Sequence, residues 1–252
     1  MREGSGMMSD RRRARRGTVW AVIGGVVALA AIAGIVLGSL FRDGPPAPAP
    51  PPTSAVTPDS EPPGSVTQPA DVVDASVAAS GWVPEPVTTD PEVYARAALA
   101  AASTFDTQLS TRQDWLTYLD SWFTPDTRYA TEEDRAEVMA ASQLELRQGV
   151  VLPQQQWDSL AAQDGRVVAG VPGDLALTGV PDDPAGGMRI GTADVVLTFI
   201  QSDGSGGEMS YDEVVRVSVQ VLCGDGSVPT PGTAQQPADC KVVRFFSGTV
   251  EP

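Results

Sequence analysis

The chain has 252 residues, with 32 acidic side chains against 17 basic ones, a formal net charge of −15 and no histidine. An acidic body of this kind is repelled by phosphate backbones, which argues against nucleic-acid binding. The lack of histidine removes the commonest general base and every Ser–His or Cys–His arrangement.

The charge is unevenly placed. Residues 1–43 carry 7 of the 17 basic groups and 3 of the 32 acids, so the remainder holds 10 basic against 29 acidic residues. Residues 1–17, with the block RRRARR from Arg11, are predicted to be a cytoplasmic basic head. An uncharged apolar run follows, and residues 18–41 are long enough to cross a bilayer as a helix. The run is too long for a cleaved signal, so it is expected to stay as a signal-anchor. Ala30, Gly34 and Gly38 recur every fourth residue, a small-residue spacing that suits packing between spans, although a Gly/Ala-rich segment also produces it by chance. Residues 42–81 are rich in proline and lack apolar periodicity, which predicts a disordered linker. A polyproline-like stalk of that length would reach on the order of 100 Å. Residues 82–252 are then expected to form an extracytoplasmic domain.

That domain opens with helical patterns. Asp90 or Thr89 is placed to cap a helix that has Pro91 in its first position, with Val93, Ala97, Ala98, Ala101 and Phe105 on its apolar face. In STRQDWLTYLDSWFTP, Trp115, Leu119 and Trp122 fall at helical spacing. With Phe199 they are candidates for a pocket or interaction face, and packing in the core is the plainer alternative. A third helix is predicted from Thr131, with acids in its first turn and Gly149 as its stop. A short fourth helix follows Pro153.

The period then changes to two. RVVAGVPGDLALTG reads as a strand interrupted by glycine and proline, and GMRIGTADVVLTFIQ as a long strand. SDGSGGE reads as a hairpin turn. In MSYDEVVRVSVQVLC, Val215, Val217, Val219 and Val221 alternate with Arg216, Ser218 and Gln220, as expected of a sheet with one buried and one wet face. KVVRFFSGTV is the last strand. Helices followed by an antiparallel meander imply an α+β domain with helices packed on one face of a curved sheet.

Cys223 ends one strand and Cys240 begins the next. In an oxidising compartment this even pair at the base of a loop predicts a disulfide. Two thiols without histidine make a poor zinc shell, so no metal site and no cofactor are expected. Lys241, the chain's sole lysine, falls on the last strand with no partner evident in the sequence. The paired carboxylates Glu132, Glu133, Asp134, Asp182, Asp183, Asp212 and Glu213 lie at helix starts or in turns and read as solvated surface. Asp212 with Tyr211 or Tyr129 is the weak remaining enzyme-like pairing.

The order of signal-anchor, proline-rich stalk, helices with a Trp-rich face (DWLTYLDSWFTP) and terminal meander (DVVLTFIQ, EVVRVSVQVLC, KVVRFFSGTV) resembles exported domains of the nuclear transport factor 2-like, or cystatin-like, superfamily. The similarity spans roughly residues 90–250. Two families of that kind which it resembles are the bitopic scaffold proteins of conjugative and type IV secretion systems and the mammalian-cell-entry-associated membrane proteins of actinobacteria. It implies a cone-shaped fold and a non-enzymatic scaffold that binds other envelope proteins or copies of itself. The alternative is a module whose cone binds a small apolar or cell-wall-derived ligand.

Overall fold

A computed structural model of the protein describes residues 71–183 and 185–246. The head, the apolar run with Ala30, Gly34 and Gly38, and residues 42–70 lie outside the described residues.

Residues 71–81 correct the expected linker boundary, because they already belong to the folded unit. Val73 N–H donates to Glu85 O at 2.8 Å, and Val87 N–H donates to Asp71 O at 2.9 Å. Between these bonds a 3₁₀ turn, Ala75–Ser80, is capped by Asp74 and buries Val77. Gly81 closes it at φ 77°, where a Cβ would lie 2.6 Å from Asp106 Cβ, so both conformation and space demand glycine. The valines in this stretch are too few for a periodic signal, so the sequence reads as a continuation of the stalk.

Helix α1 is Pro91–Ala101. Asp90 caps it by accepting from Glu92 N–H and Val93 N–H, and Pro91 occupies its first turn. Its buried side chains are Tyr94, Ala95, Ala98, Leu99 and Ala101, whereas Val93 is half exposed. The expected face is therefore rotated by about one residue, and Phe105 lies beyond the helix in strand β1 (Phe105–Asp106). The cause is Tyr94, whose hydroxyl is drawn inward by a buried acceptor, Glu85.

Helix α2 is Arg112–Asp120, capped by Thr111. The chain beyond it runs parallel to the last strand. Trp122 O accepts from Val242 N–H at 2.9 Å and Thr124 N–H donates to Val242 O at 2.8 Å, which covers that sheet edge. Helix α3, Glu132–Glu145, is capped by Thr131 as expected. Gly149 does not stop it. The helix widens into a π-type turn, Leu146–Val150, that contains Gly149 and sets Leu146 fully into the core. Helix α4 is Gln154–Ala161 and buries Trp157 and Leu160.

The remaining strands are β2 (Arg166–Gly170), β3 (Leu175–Gly179), β4 (Met188–Ser202), β5 (Glu208–Gly224) and β6 (Ala238–Phe246). The sheet order is β1-β2-β4-β5-β6, all antiparallel, with β3 also on β4. β2 and β3 pair end to end along one edge of β4, at Val196–Ile200 and Arg189–Ala193, so they are one strand broken around Pro172. Arg96 of α1 donates to Val171 O and Gly173 O across that break. Gly191 on β4 faces α1, where a Cβ would meet Ala95 Cβ at 3.0 Å, so the helix lies close on the sheet.

The concave face of the sheet and the helices enclose the main core, which includes Tyr94, Leu99, Trp115, Trp122, Val195, Val219 and Val242. The convex face is not uniformly wet. Ser218 and Gln220, expected to face solvent, are buried, and Met188, Leu222 and Val243 form a second small core with Val180 against them. The segment around Val180 folds over this end of the sheet, which alternation alone does not reveal.

Trp115 packs on Phe105 at 4.9 Å and on Trp157 at 5.7 Å between ring centroids and has no exposed surface. Replacing it by alanine is expected to lower unfolding free energy by about 3–5 kcal/mol, as for other large core truncations. Urea denaturation of Trp115→Ala checks this, and a loss below about 1 kcal/mol would contradict the packing described.

Candidate functional site

Two places in the described residues concentrate unusual chemistry: a cavity between the sheet and the helical segments and a buried ionic cluster beside β6.

The cavity has a volume of about 330 Å³ and is lined by Phe105, Val151, Leu197, Phe199, Val215 and Phe246, among others. Glu213 and Arg216 stand at its wall. Of the aromatic and aliphatic candidates, only Phe199 reaches it. Trp115 and Leu119 on α2 and Trp122 just beyond it are enclosed in the core instead. Phe199 stacks on Tyr211 across β4 and β5, with centroids 5.0 Å apart.

Beyond the cavity the β4–β5 hairpin continues to the turn 203–207, where Asp203 accepts from Ser205 N–H and Gly207 N–H. This is the expected hairpin turn. β6 joins β5 from Ser218 onward, and among the described residues no strand pairs with the outer edge of β5 from Glu208 to Val217. Apolar side chains remain exposed here: Met209, Tyr211 at 51 % and Val214 at 61 %, with Val168 on β2. The ion pairs Arg166–Glu208 and Arg216–Asp194 are solvent-exposed and contribute little to stability.

The cysteines form the expected disulfide, Cys223–Cys240. The loop it closes is not a free excursion. Ser227 donates to Asp239 O, Val228 N–H donates to Thr124 Oγ1, and Thr230 and Gln235 reach into the second site.

That second site centres on Glu85 and Lys241, both enclosed. Lys241 Nζ donates to Glu85 Oε1 at 2.8 Å, Ser121 O at 2.7 Å and Thr230 Oγ1 at 2.8 Å. Glu85 Oε1 also accepts from Tyr94 O–H at 2.5 Å and from Gln235 Nε2 at 3.1 Å. Tyr118 O–H donates to Val83 O and accepts from Glu85 N–H, holding the adjacent backbone. Lys241 thus has several partners, none of them evident in the sequence. Burial holds its amine below the ordinary lysine value, with Glu85 opposing that shift. Burial, and then the charge of Glu85, raises the Tyr94 phenol well above its ordinary value. Burial likewise raises that of Tyr118. The one available sequence signal was the lone lysine beside a predicted half-cystine. Glu85, flanked by Pro84 and Pro86, carried none.

Of the paired carboxylates, Glu213 stands at the cavity wall and the rest lie apart from both sites. Asp134 completes the α3 cap with Thr131, Asp183 accepts from Met188 N–H in a turn, and Asp212 accepts from Thr198 on the exposed hairpin.

No protein-family model matches the sequence, and no curated protein matches it. Among solved structures, the fold is similar to that of an IcmL-like type IV secretion system protein from Legionella pneumophila. Identity there is 13 %, the match covers 65 % of this chain and 95 % of that one, and the TM-score is 0.40. It is also similar to CagV, a VirB8 homolog of the type IV secretion system of Helicobacter pylori, at 14 % identity, 53 % and 78 % coverage and a TM-score of 0.28.

Two predictions concern the ionic cluster. Removing one member of an enclosed pair leaves the other uncompensated, so Lys241→Met is expected to cost about 3–5 kcal/mol. Denaturant unfolding of that variant measures the loss, and an unchanged midpoint would remove the pair from any structural role. At high pH, the native state keeps phenolic protons that the unfolded chain releases from about pH 10. The stability contributed by Tyr94 and Tyr118 is therefore complete below that pH and is lost as pH rises above it. Lys241 works in the opposite sense, but only up to its ordinary value of 10.5. Above pH 10.5 the urea midpoint should fall steadily, and less steeply in Tyr118→Phe. Equal slopes in the two proteins would count against the assignment.

Proposed function

We propose that the described domain is the interaction module of a non-enzymatic, single-pass membrane protein that works outside the cytoplasm. The apolar run 18–41 holds it, and the arginine-rich head 1–17 stays on the cytoplasmic side. The proline-rich stretch ahead of the domain sets its distance from the bilayer. Its role is that of a scaffold in an envelope assembly of the secretion or conjugation kind. Its partners are other envelope proteins or further copies of the chain.

The observation that carries this reading is where the apolar side chains go. The Trp-rich face that would have lined a ligand pocket is consumed by the core. Met209, Tyr211 and Val214 remain outside, along a stretch of β5 with no strand beside it among the described residues. An unpaired edge flanked by apolar side chains is the type of surface that accepts another strand. The disulfide supports an oxidising compartment.

A second reading rests on the cavity. Its walls of Phe105, Leu197, Phe199, Val215 and Phe246 suit a small apolar ligand.

The two readings separate by photo-crosslinking in native membranes. A crosslinker at position 214 of the full chain should capture envelope proteins or a second copy, whereas one at exposed Gln155 on α4 should not. In Val217→Trp, which fills the cavity, the pattern should persist. If position 214 captures nothing while Val217→Trp abolishes function, the ligand-binding reading replaces the scaffold.

A further inference from the structure

The ionic cluster holds more than a salt bridge. Within hydrogen-bond reach of one carboxylate lie an amine and a carboxamide that also face each other. Lys241 Nζ is 2.8 Å from Glu85 Oε1, Gln235 Nε2 is 3.1 Å from the same oxygen, and Lys241 Nζ is 3.5 Å from Gln235 Oε1. Lys241, Glu85 and Gln235 are all buried, at 1 %, 0 % and 5 % exposure, so bulk water has no access to compete. The backbone N–H of Thr230 donates to Gln235 Oε1 at 2.8 Å.

We propose that this cluster is a self-modification site, in which Lys241 Nζ attacks the side-chain carboxamide carbon of Gln235 to form an intramolecular isopeptide bond and release ammonia. Each part of such a reaction has a group in place. The nucleophile must be a neutral amine, and Glu85 is in contact to take the ammonium proton. The displacement of the Lys241 amine below its ordinary value, caused by burial, works in the same direction. Negative charge grows on Gln235 Oε1 as the C–N bond forms, and Thr230 N–H is already aimed at that atom. The leaving nitrogen, Gln235 Nε2, is the one that Glu85 touches, so the proton taken from lysine can be delivered there.

The balance closes without any other reagent. The ammonium gives one proton to Glu85, and the amine adds to the carboxamide. Glu85 passes its proton to Nε2, and ammonia leaves as the C–Nε2 bond breaks. The second amine proton goes to Glu85, which remains as the neutral acid beside a neutral secondary amide. Glu85 Oε2, buried with no hydrogen-bond partner among the described residues, is the open acceptor for that proton. An enclosed ion pair is thereby exchanged for two uncharged groups, which relieves the desolvation penalty of burying charge.

The arrangement also chooses between electrophiles. Ser121 O is nearer to Nζ, at 2.7 Å. Attack there would need a protonated backbone nitrogen as leaving group, and that nitrogen, Trp122 N, donates its proton to Leu119 O and faces no acid of the cluster among the described residues. Attack on Glu85 itself would expel water from the carboxylate that is placed to take the lysine proton.

The experiment is mass spectrometry on the full chain, purified from membranes, reduced, alkylated and denatured. Lys241 is the sole lysine, so its amine can be followed without interference. The expected intact mass is short of the sequence by one ammonia. Trypsin should fail to cut after Lys241, giving a peptide from Val217 to Arg244 whose fragments assign the loss to Gln235 and Lys241. An amine-specific reagent in denaturant should leave Lys241 unlabelled. Glu85→Gln should keep its ammonia and become fully labelled at Lys241. The proposal is overturned if the wild-type chain carries its full mass with a reactive, trypsin-cleavable Lys241, or if the deficit is water instead of ammonia. The wild-type measurement decides the matter even if Glu85→Gln does not fold.

Discussion

The enclosed meeting of Glu85 and Lys241 is the constraint on which the rest of the domain depends. Two opposite charges without water are tolerated when hydrogen bonds replace much of the lost solvation. Lys241 Nζ and Glu85 Oε1 draw theirs from five segments. Glu85 comes from the stretch before α1, Tyr94 from α1 itself, Ser121 from the end of α2, Thr230 and Gln235 from the disulfide-closed loop, and Lys241 from β6. Each segment is thereby placed relative to the others. The rotation of α1 that exposes Val93 follows from Tyr94 turning inward to Glu85. The loop 225–237, glycine- and proline-rich and with every compositional reason to wander, is ordered because two of its side chains are needed inside.

The disulfide takes its place within the same constraint. Cys240 immediately precedes Lys241, and its N–H donates to Thr88 O at 2.7 Å, close to the segment that carries Glu85. The covalent bond therefore closes the loop at the strand position from which the buried lysine projects. The chain-entropy effect of such a short loop is on the order of 3 kcal/mol. Beyond this, the disulfide keeps Thr230 and Gln235 at short tether from Lys241, which makes a cluster of five segments less costly to assemble.

What could be read from the sequence was what is local. Asp90 with Pro91, and Thr131 with Asp134, announce helix starts because a cap and its receiving N–H lie within three residues. The break in RVVAGVPGDLALTG is legible because proline and glycine act where they stand, and β2 and β3 duly run end to end on β4. Cys223 and Cys240 were legible because strand, loop and strand lie consecutively. What needed distant partners was hidden. Glu85 and Lys241 are 156 residues apart, and nothing near either names the other. Val93 and Tyr94 are adjacent, so a helical period alone leaves the phase of α1 to a tertiary contact. Gly149 carried a stop signal that lost to the burial of Leu146. Ser218 and Gln220 looked wet because alternation describes one strand, whereas their contacts, Thr192 and Met188, come from the neighbouring strand β4. The same limit hid the candidate sites. The Trp-rich stripe was visible by spacing, yet only the sheet's curvature decides that it fills the core and that Phe199 reaches the cavity.

The placement of these features separates holding from binding. The disulfide at Cys223, the pairing with β6 from Ser218 onward and the ionic cluster beside Lys241 lie toward one end of β5. Toward the other lie the edge from Glu208 to Val217 that no strand pairs among the described residues, the exposed Tyr211 and Val214, and the cavity at Phe199 and Val215. β4 and β5 are continuous through both halves, so the disulfide and the β6 pairing that fix one end of β5 also order the strands that carry the other. A surface presented in this way loses little conformational entropy when a partner lands on it, because the strands are ordered beforehand. For the scaffold proposed above, that order before contact is what would allow a small apolar edge to act as a specific contact.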